Sequence, residues 1–158
     1  MKQSWTTGLS FGLTSGIITT LGLMVGLYSG THSRLAVIGG ILTIAIADAF
    51  SDALGIHISE ESQKGQRHKA VWEATVATFF SKFLFALTFV VPVLLLELKT
   101  AIYIGVVWGL VALGGLNYFI AKIRNKNPWM VVGEHLLIAI LVVIVTYFAG
   151  IWIGAVFG

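Results

Sequence analysis

Five long apolar runs, separated by short polar breaks, divide this chain at about 9–28, 35–58, 74–96, 101–120 and 129–152. Roughly 20 apolar residues cross the ~30 Å of hydrocarbon in a bilayer when coiled as α-helix, and every run reaches that length. Backbone amides inside lipid have no water to bond to, so helix is the form such runs take. The pattern therefore predicts an all-α, polytopic membrane protein: five transmembrane helices in a single domain covering 1–158. The first run is longer and richer in glycine and threonine than the apolar core of a signal peptide. It also lacks an A-x-A cleavage site, which favours a retained helix.

Within the runs, glycine and polar positions follow helical spacing. Gly12-x-x-x-Gly16 and Gly22-x-x-x-Gly26-x-x-x-Gly30 line one face of the first helix with small residues, where another helix can approach closely. Close packing is the plain reading of that face. Ser15 and Thr19 share a side with Gly22 and Gly26, so a polar path along it is the sharper alternative. In the second helix, at 100° per residue, Asp48, Ser51, Asp52, Gly55, Ser59 and Ser62 fall within about 60° of one line, while His57 lies opposite Asp48. Lipid rejects such a stripe, so it is expected to face a cavity, a pathway or a partner helix. The third helix carries Lys82 near its start and Pro92 late in its span. The lysine can snorkel toward the basic side, and the proline removes one backbone bond and kinks the helix. Gly105, Gly109, Gly114 and Gly115 mark the fourth helix as closely packed, and Pro128 is placed to start the fifth.

Composition sharpens the class. Of 158 residues, 57% are apolar and only 11% charged, against about 25% charged in a soluble domain. A net charge of +3 would point a soluble protein toward nucleic acid. Here the basic residues lie between apolar runs and set orientation, so no nucleic-acid partner is expected. Lys2, Lys64, Arg67, Lys69, Lys122, Arg124 and Lys126 fall on the side of the N-terminus, with Lys82 an eighth if it snorkels, against Arg34 and Lys99 on the other. The positive-inside rule then places the N-terminus and the connector 60–73 in the cytoplasm, and the C-terminus outside or in a lumen. The absence of cysteine removes disulfides and thiolate metal sites, so any metal must use oxygen, imidazole or thioether. With no phosphate-binding glycine loop, nucleophile elbow or H-E-x-x-H, no enzymatic chemistry is expected.

The strongest chemical signal is Asp48 with Asp52. An ionised side chain in hydrocarbon costs roughly 2.5–3.5 kcal/mol on insertion scales, so two within five residues need a role or a counter-ion. One helical turn apart, the two carboxylates can meet at a single cation. Such a pair suits a transporter, taking metal when ionised and protons when not. The plainer reading is a pair that bonds one helix to another, salt-bridged to Lys82. At 1.5 Å per residue, Asp52 and Asp48 lie about 12 and 18 Å deeper than Glu60, so a mouth at Glu60, Glu61, His68 and Glu73 would lead inward to them. His57 belongs with that set chemically, since imidazole with carboxylate suits first-row metals, although the spacing is no recognised ligand motif. A solvated helix end plus loop is the plainer reading of this stretch. Met24 is first a packing residue and second a thioether ligand. Glu134 and His135 either face interfacial water or relay protons.

Several stretches have a familiar look: Phe11-Gly12-Leu13-Thr14-Ser15-Gly16 through Gly22-Leu23-Met24-Val25-Gly26, the small-residue second helix ending in Ser59-Glu60, Pro92, and Glu134-His135-Leu136-Leu137-Ile138 through Val145-Thr146-Tyr147-Phe148-Ala149-Gly150. Together they resemble the vacuolar iron transporter family over nearly the whole chain. The resemblance implies five membrane helices, a cytoplasmic N-terminus, a homodimer, and export of ferrous iron or manganese from the cytosol in exchange for protons. The metal would be cargo, with no resident cofactor. Two places depart from the family. Phe11 stands where members commonly carry an aspartate just before the Gly-Leu of the first helix, and the connector is too short for the Glu- and Met-rich metal-collecting domain of plant-type members. No first-helix carboxylate ligand is carried over, and Asp48 and Asp52 are read from this chain alone as the replacement charge. The expected ion pathway is therefore Asp48, Asp52, Ser51, Ser15, Thr19 and Met24, in a multi-pass protein of the lipid bilayer, the cell membrane if the chain is prokaryotic. The rival expectation is a non-transporting membrane scaffold or assembly subunit whose aspartates hold helices together. A transporter or channel for another cation is the third.

Overall fold

The computed structural model describes residues 3–158, so Lys2, expected as an interfacial anchor and a topology-setting charge, lies outside the described residues. Helix α1 spans Gln3–Thr31, α2 Arg34–Glu61, α3 His68–Thr88, α4 Val90–Leu95, α5 Leu98–Ile123 and α6 Pro128–Phe157. Among the described residues all regular structure is helical. Five rods, with α3 and α4 forming one, are long and apolar enough to cross a membrane. Each rod outruns the apolar run that predicted it: polar end residues continue α1, α2, α3 and α5, and the apolar residues 153–157 continue α6. The connector expected over 60–73 shrinks to 62–67.

The turns follow from local chemistry. Ser33 Oγ accepts from the Ala36 amide at 3.3 Å to cap α2. Asn127 Oδ1 accepts from the Trp129 amide at 3.1 Å, with Pro128 in the first turn of α6. In the α2–α3 connector Gly65 takes φ 84°, a left-handed conformation that costs glycine nothing.

Glycine contacts fix the register of the rods. A Cβ on Gly8 would lie 2.2 Å from Ala74 O, and one on Gly12 would lie 2.6 Å from Thr78 O. Both separations are too short for any real side chain, so α1 and α3 run in the same direction with their backbones in contact. Further along α1, the same construction at Gly26 and Gly30 meets Thr146 O at 3.3 Å and Gly150 O at 2.8 Å on α6. The first glycine row of α1 thus serves α3 and the second serves α6, which makes α1 the central rod. Ile17, Leu21 and Met24 of α1 form the core with Val37 and Ile41 of α2, Phe89 beside the break, Val93 of α4 and Leu113 of α5. By contrast, α6 exposes Leu137, Ile144, Phe148 and Trp152 around an almost wholly apolar surface, as a rod surrounded by lipid does.

Pro92 acts more sharply than the expected kink. With its amide proton missing, the helix ends at Thr88 and restarts at Val90. Arg34, read in the sequence as an orientation charge, also clasps the far end of α4. Its guanidinium donates to Val93 O at 2.6 Å and to Leu96 O at 2.7 Å, satisfying carbonyls that the short helix leaves free.

Candidate functional site

Helix α2 buries Ile41, Ala45, Ala49 and Ala53 at every fourth position. The alanine edge lets α2 close on its neighbours, and Asp48 and Asp52, each one residue before an alanine, flank that seam. Across it, near the middle of the rod His68–Leu95, stands Lys82. Its side chain is 2% exposed. It does not snorkel to the basic end, which leaves seven basic residues rather than eight on the N-terminal side. Gly16 of α1 makes the space, since a Cβ there would lie 3.0 Å from Lys82 Cγ and 3.3 Å from its Cα.

The ammonium group lies between the two carboxylates. Lys82 Nζ is 2.5 Å from Asp48 Oδ2 and makes a still shorter contact with Asp52 Oδ2. It also donates to Ser15 Oγ at 2.9 Å, and that hydroxyl in turn donates to Asp52 Oδ2 at 2.6 Å. Asp48 Oδ2 has the ion-pair contact but no aligned hydrogen bond, so it is the less satisfied of the two aspartates. One cation between two anions leaves the cluster with a formal charge of −1, held by α1, α2 and α3 together. Removing one partner from a buried ion pair costs about 3–5 kcal/mol, because the charge left behind has neither water nor partner.

The predicted polar stripe on α2 divides. Asp48 and Asp52 turn toward Lys82 while keeping 24% and 20% of their side-chain surface exposed. Ser51, Gly55 and Ser59 lie on an open edge, and a Cβ on Gly55 would meet nothing within 4 Å. Thr19 lies one turn from Ser15 and donates to its carbonyl at 3.0 Å. Met24 goes elsewhere: it is fully buried in the apolar core, its Cε 2.7 Å from where a Cβ on Gly105 of α5 would stand.

At the connector end, Glu60 turns inward. Its Oε2 accepts from Gln66 Nε2 at 2.8 Å, beside a polar cavity of about 490 Å³ lined by Ser4, Thr7, Gln63 and Arg67. Glu61 is exposed, and Glu73 accepts from Ser4 Oγ at 2.7 Å. His68 packs against Trp72, and His57 bonds to Thr75 on the side of α2 away from the aspartates, as its angular position required. The expected mouth residues therefore share one end of the bundle without converging on a common point. Glu134 is exposed on α6, and His135 Nδ1 donates to Val131 O at 2.8 Å, so neither bonds to the aspartates. Among the described residues, no three His, Asp or Glu side chains gather as a ready-made metal cage. Oxygen donors at Asp48, Asp52 and Ser15 nevertheless suit a hard divalent cation.

No protein-family model, curated protein or solved structure matches this chain, so the likeness to vacuolar iron transporters rests on the quoted residues alone.

Proposed function

We propose that this chain is a multi-pass membrane transporter for a divalent transition metal, ferrous iron or manganese. Asp48 and Asp52 are the ligands of the cargo in transit, and Lys82 is their resting counter-ion. The supporting observation is the Asp48–Lys82–Asp52 cluster halfway along its rods. Ionisable groups at that depth are costly, and membrane proteins retain them mainly along ion pathways. A tethered ammonium holds the empty site together, and a divalent cation seated on both carboxylates repels it and takes its place. Ser15 supplies a neutral oxygen beside the same point. The polar cavity at Glu60 forms the cytoplasmic mouth. The open edge of Ser51, Gly55 and Ser59 is where a second copy completes the path in a homodimer. In this reading the N-terminus is cytoplasmic, the C-terminus lies outside, and metal leaves the cytoplasm in exchange for protons, with Glu134 and His135 as relay groups at the cytoplasmic end.

Proteoliposomes with a pH-sensitive dye inside test the proposal. Manganese added outside drives proton flux through the wild-type protein, and Asp48→Asn with Asp52→Asn lowers that flux at least tenfold at equal protein incorporation. Unchanged flux in the double variant removes the assignment of the aspartates.

One observation favours a second reading. Lys82 already fills the space between the carboxylates, as a purely structural tie among α1, α2 and α3 would. On that reading the chain is a non-transporting scaffold or assembly subunit, and wild-type vesicles show no metal-driven flux.

A further inference from the structure

The face of α2 opposite Asp48 carries Phe50, Leu54 and His57, and it meets Trp72, Val76 and Phe80 of α3 around an apolar groove of about 340 Å³. Phe50, Leu54, Trp72 and Phe80 are each more than half exposed, so the groove opens outward, where hydrocarbon meets the rods. Two features distinguish it from an ordinary furrow between helices.

The first is its polar end. His57 Nδ1 lies 2.9 Å from Thr75 Oγ1, and the threonine hydroxyl donates to Val71 O at 2.8 Å. With that hydrogen committed, the threonine oxygen accepts and Nδ1 carries the imidazole proton, leaving Nε2 as the second polar atom of the ring. Trp72 stands edge-on to His57 at 4.8 Å, with His68 on it at 6.3 Å. A row of imidazole, indole and imidazole therefore closes the groove about 6 Å below the end of α2, at the depth of a membrane interface. The second feature is charge. Lys64 in the connector and Lys69 on α3 adjoin that end, Lys69 about 50° from the centre of the groove face of α3. Among the described residues, Glu61 at the end of α2 is the acid on the groove side, Glu73 accepts from Ser4 of α1, and Arg67 lines the separate Glu60 cavity.

We propose that this groove binds an anionic glycerophospholipid from the leaflet next to the α2–α3 connector. One acyl chain lies between Phe50 and Phe80, and the phosphate meets Lys69, beside the imidazoles of His57 and His68. Along its length the lining passes from hydrocarbon to imidazole to ammonium, the same order in which a phospholipid passes from chain to phosphate. Basic residues beside a membrane surface favour anionic headgroups. The inference is independent of the metal-transport reading, since it uses the opposite face of α2.

Quenching of Trp72 by brominated acyl chains reads out the occupant. Full-length protein is placed in phosphatidylcholine vesicles containing an equal mole fraction of dibrominated phosphatidylglycerol or dibrominated phosphatidylcholine. Trp72→Phe protein measured alongside supplies the signal of the other tryptophans. The Trp72 association constant is expected to be about fivefold higher for phosphatidylglycerol, the effect of one basic residue facing an anionic lipid. It falls to parity in His57→Gln with Lys69→Gln. The preference in wild-type protein also weakens as salt rises from about 0.05 to about 0.5 M, a test that needs no variant. Equal quenching by both lipids, an equal preference for brominated phosphatidylethanolamine, a salt-insensitive preference, or one that survives in the double variant overturns the proposal.

Discussion

The charge of Lys82 separates the two functional readings. Lys82→Met leaves two aspartates without their cation and is expected to destabilise the protein by about 3–5 kcal/mol. Adding Asp48→Asn and Asp52→Asn to Lys82→Met removes the whole charged cluster, and replacement of a complete buried ion pair is often neutral or stabilising. The triple variant should therefore unfold close to the wild-type midpoint in a denaturant titration in micelles, yet carry no metal. A stable triple variant with full wild-type function places the cluster on the scaffold side. The aspartates were legible in the sequence because two acids interrupt an apolar run, and Lys82 was legible as one of two alternatives, their counter-ion or a snorkelling residue. At 1.5 Å per residue it lies about 13 Å past Glu73, deeper than a lysine stem can reach back to the interface, and that depth was the available signal. The sequence offered Lys82 both as a snorkelling residue and as the counter-ion of the aspartates, and it could not decide between them because it does not specify which helix faces meet. The same limit applies to Met24, whose spacing allowed a place near the aspartates and whose neighbours put it in the core against α5.

Among the elements, the five rods were legible from length and apolarity, and their ends were not. Polar residues such as Gln3 and Glu61 continue a helix that hydropathy alone would stop. The break at Phe89 was legible only as a bend, because proline announces a lost hydrogen bond but the packing around it decides whether the helix bends or restarts. Spacing likewise placed the glycines of α1 on faces without saying which neighbour each face receives. Gly12→Ala and Gly55→Ala test the resulting assignment as a pair. A Cβ on Gly12 would lie 2.2 Å from Ser81 Oγ and 2.6 Å from Thr78 O, so α1 and α3 must separate, at a cost of about 1–3 kcal/mol. A Cβ on Gly55 would meet nothing within 4 Å, so in a single chain that substitution should leave stability unchanged or raise it by up to about 1 kcal/mol. A loss at Gly55 as large as that at Gly12 would show a second copy packed on the exposed edge of α2.

For the whole molecule, the absence of cysteine makes orientation simple to measure. A single cysteine at Gln63 in the α2–α3 connector and another at Lys99 at the start of α5 should label from opposite sides of the membrane. Gln63→Cys should react with an impermeant maleimide only after the cytoplasmic face is opened, and Lys99→Cys in intact cells. The reverse pattern would invert the positive-inside assignment on which export rests. On the proposed transport reading, one site midway along the rods holds Lys82 and the cation by turns. Anomalous diffraction from crystals soaked in manganese tests it most directly. The account predicts a density peak within about 2.5 Å of Asp48 and Asp52 carboxylate oxygens, the reach of hard-cation ligation, with the Lys82 ammonium moved away. Manganese found only at surface carboxylates such as Glu61, with Lys82 still between the aspartates, would contradict it.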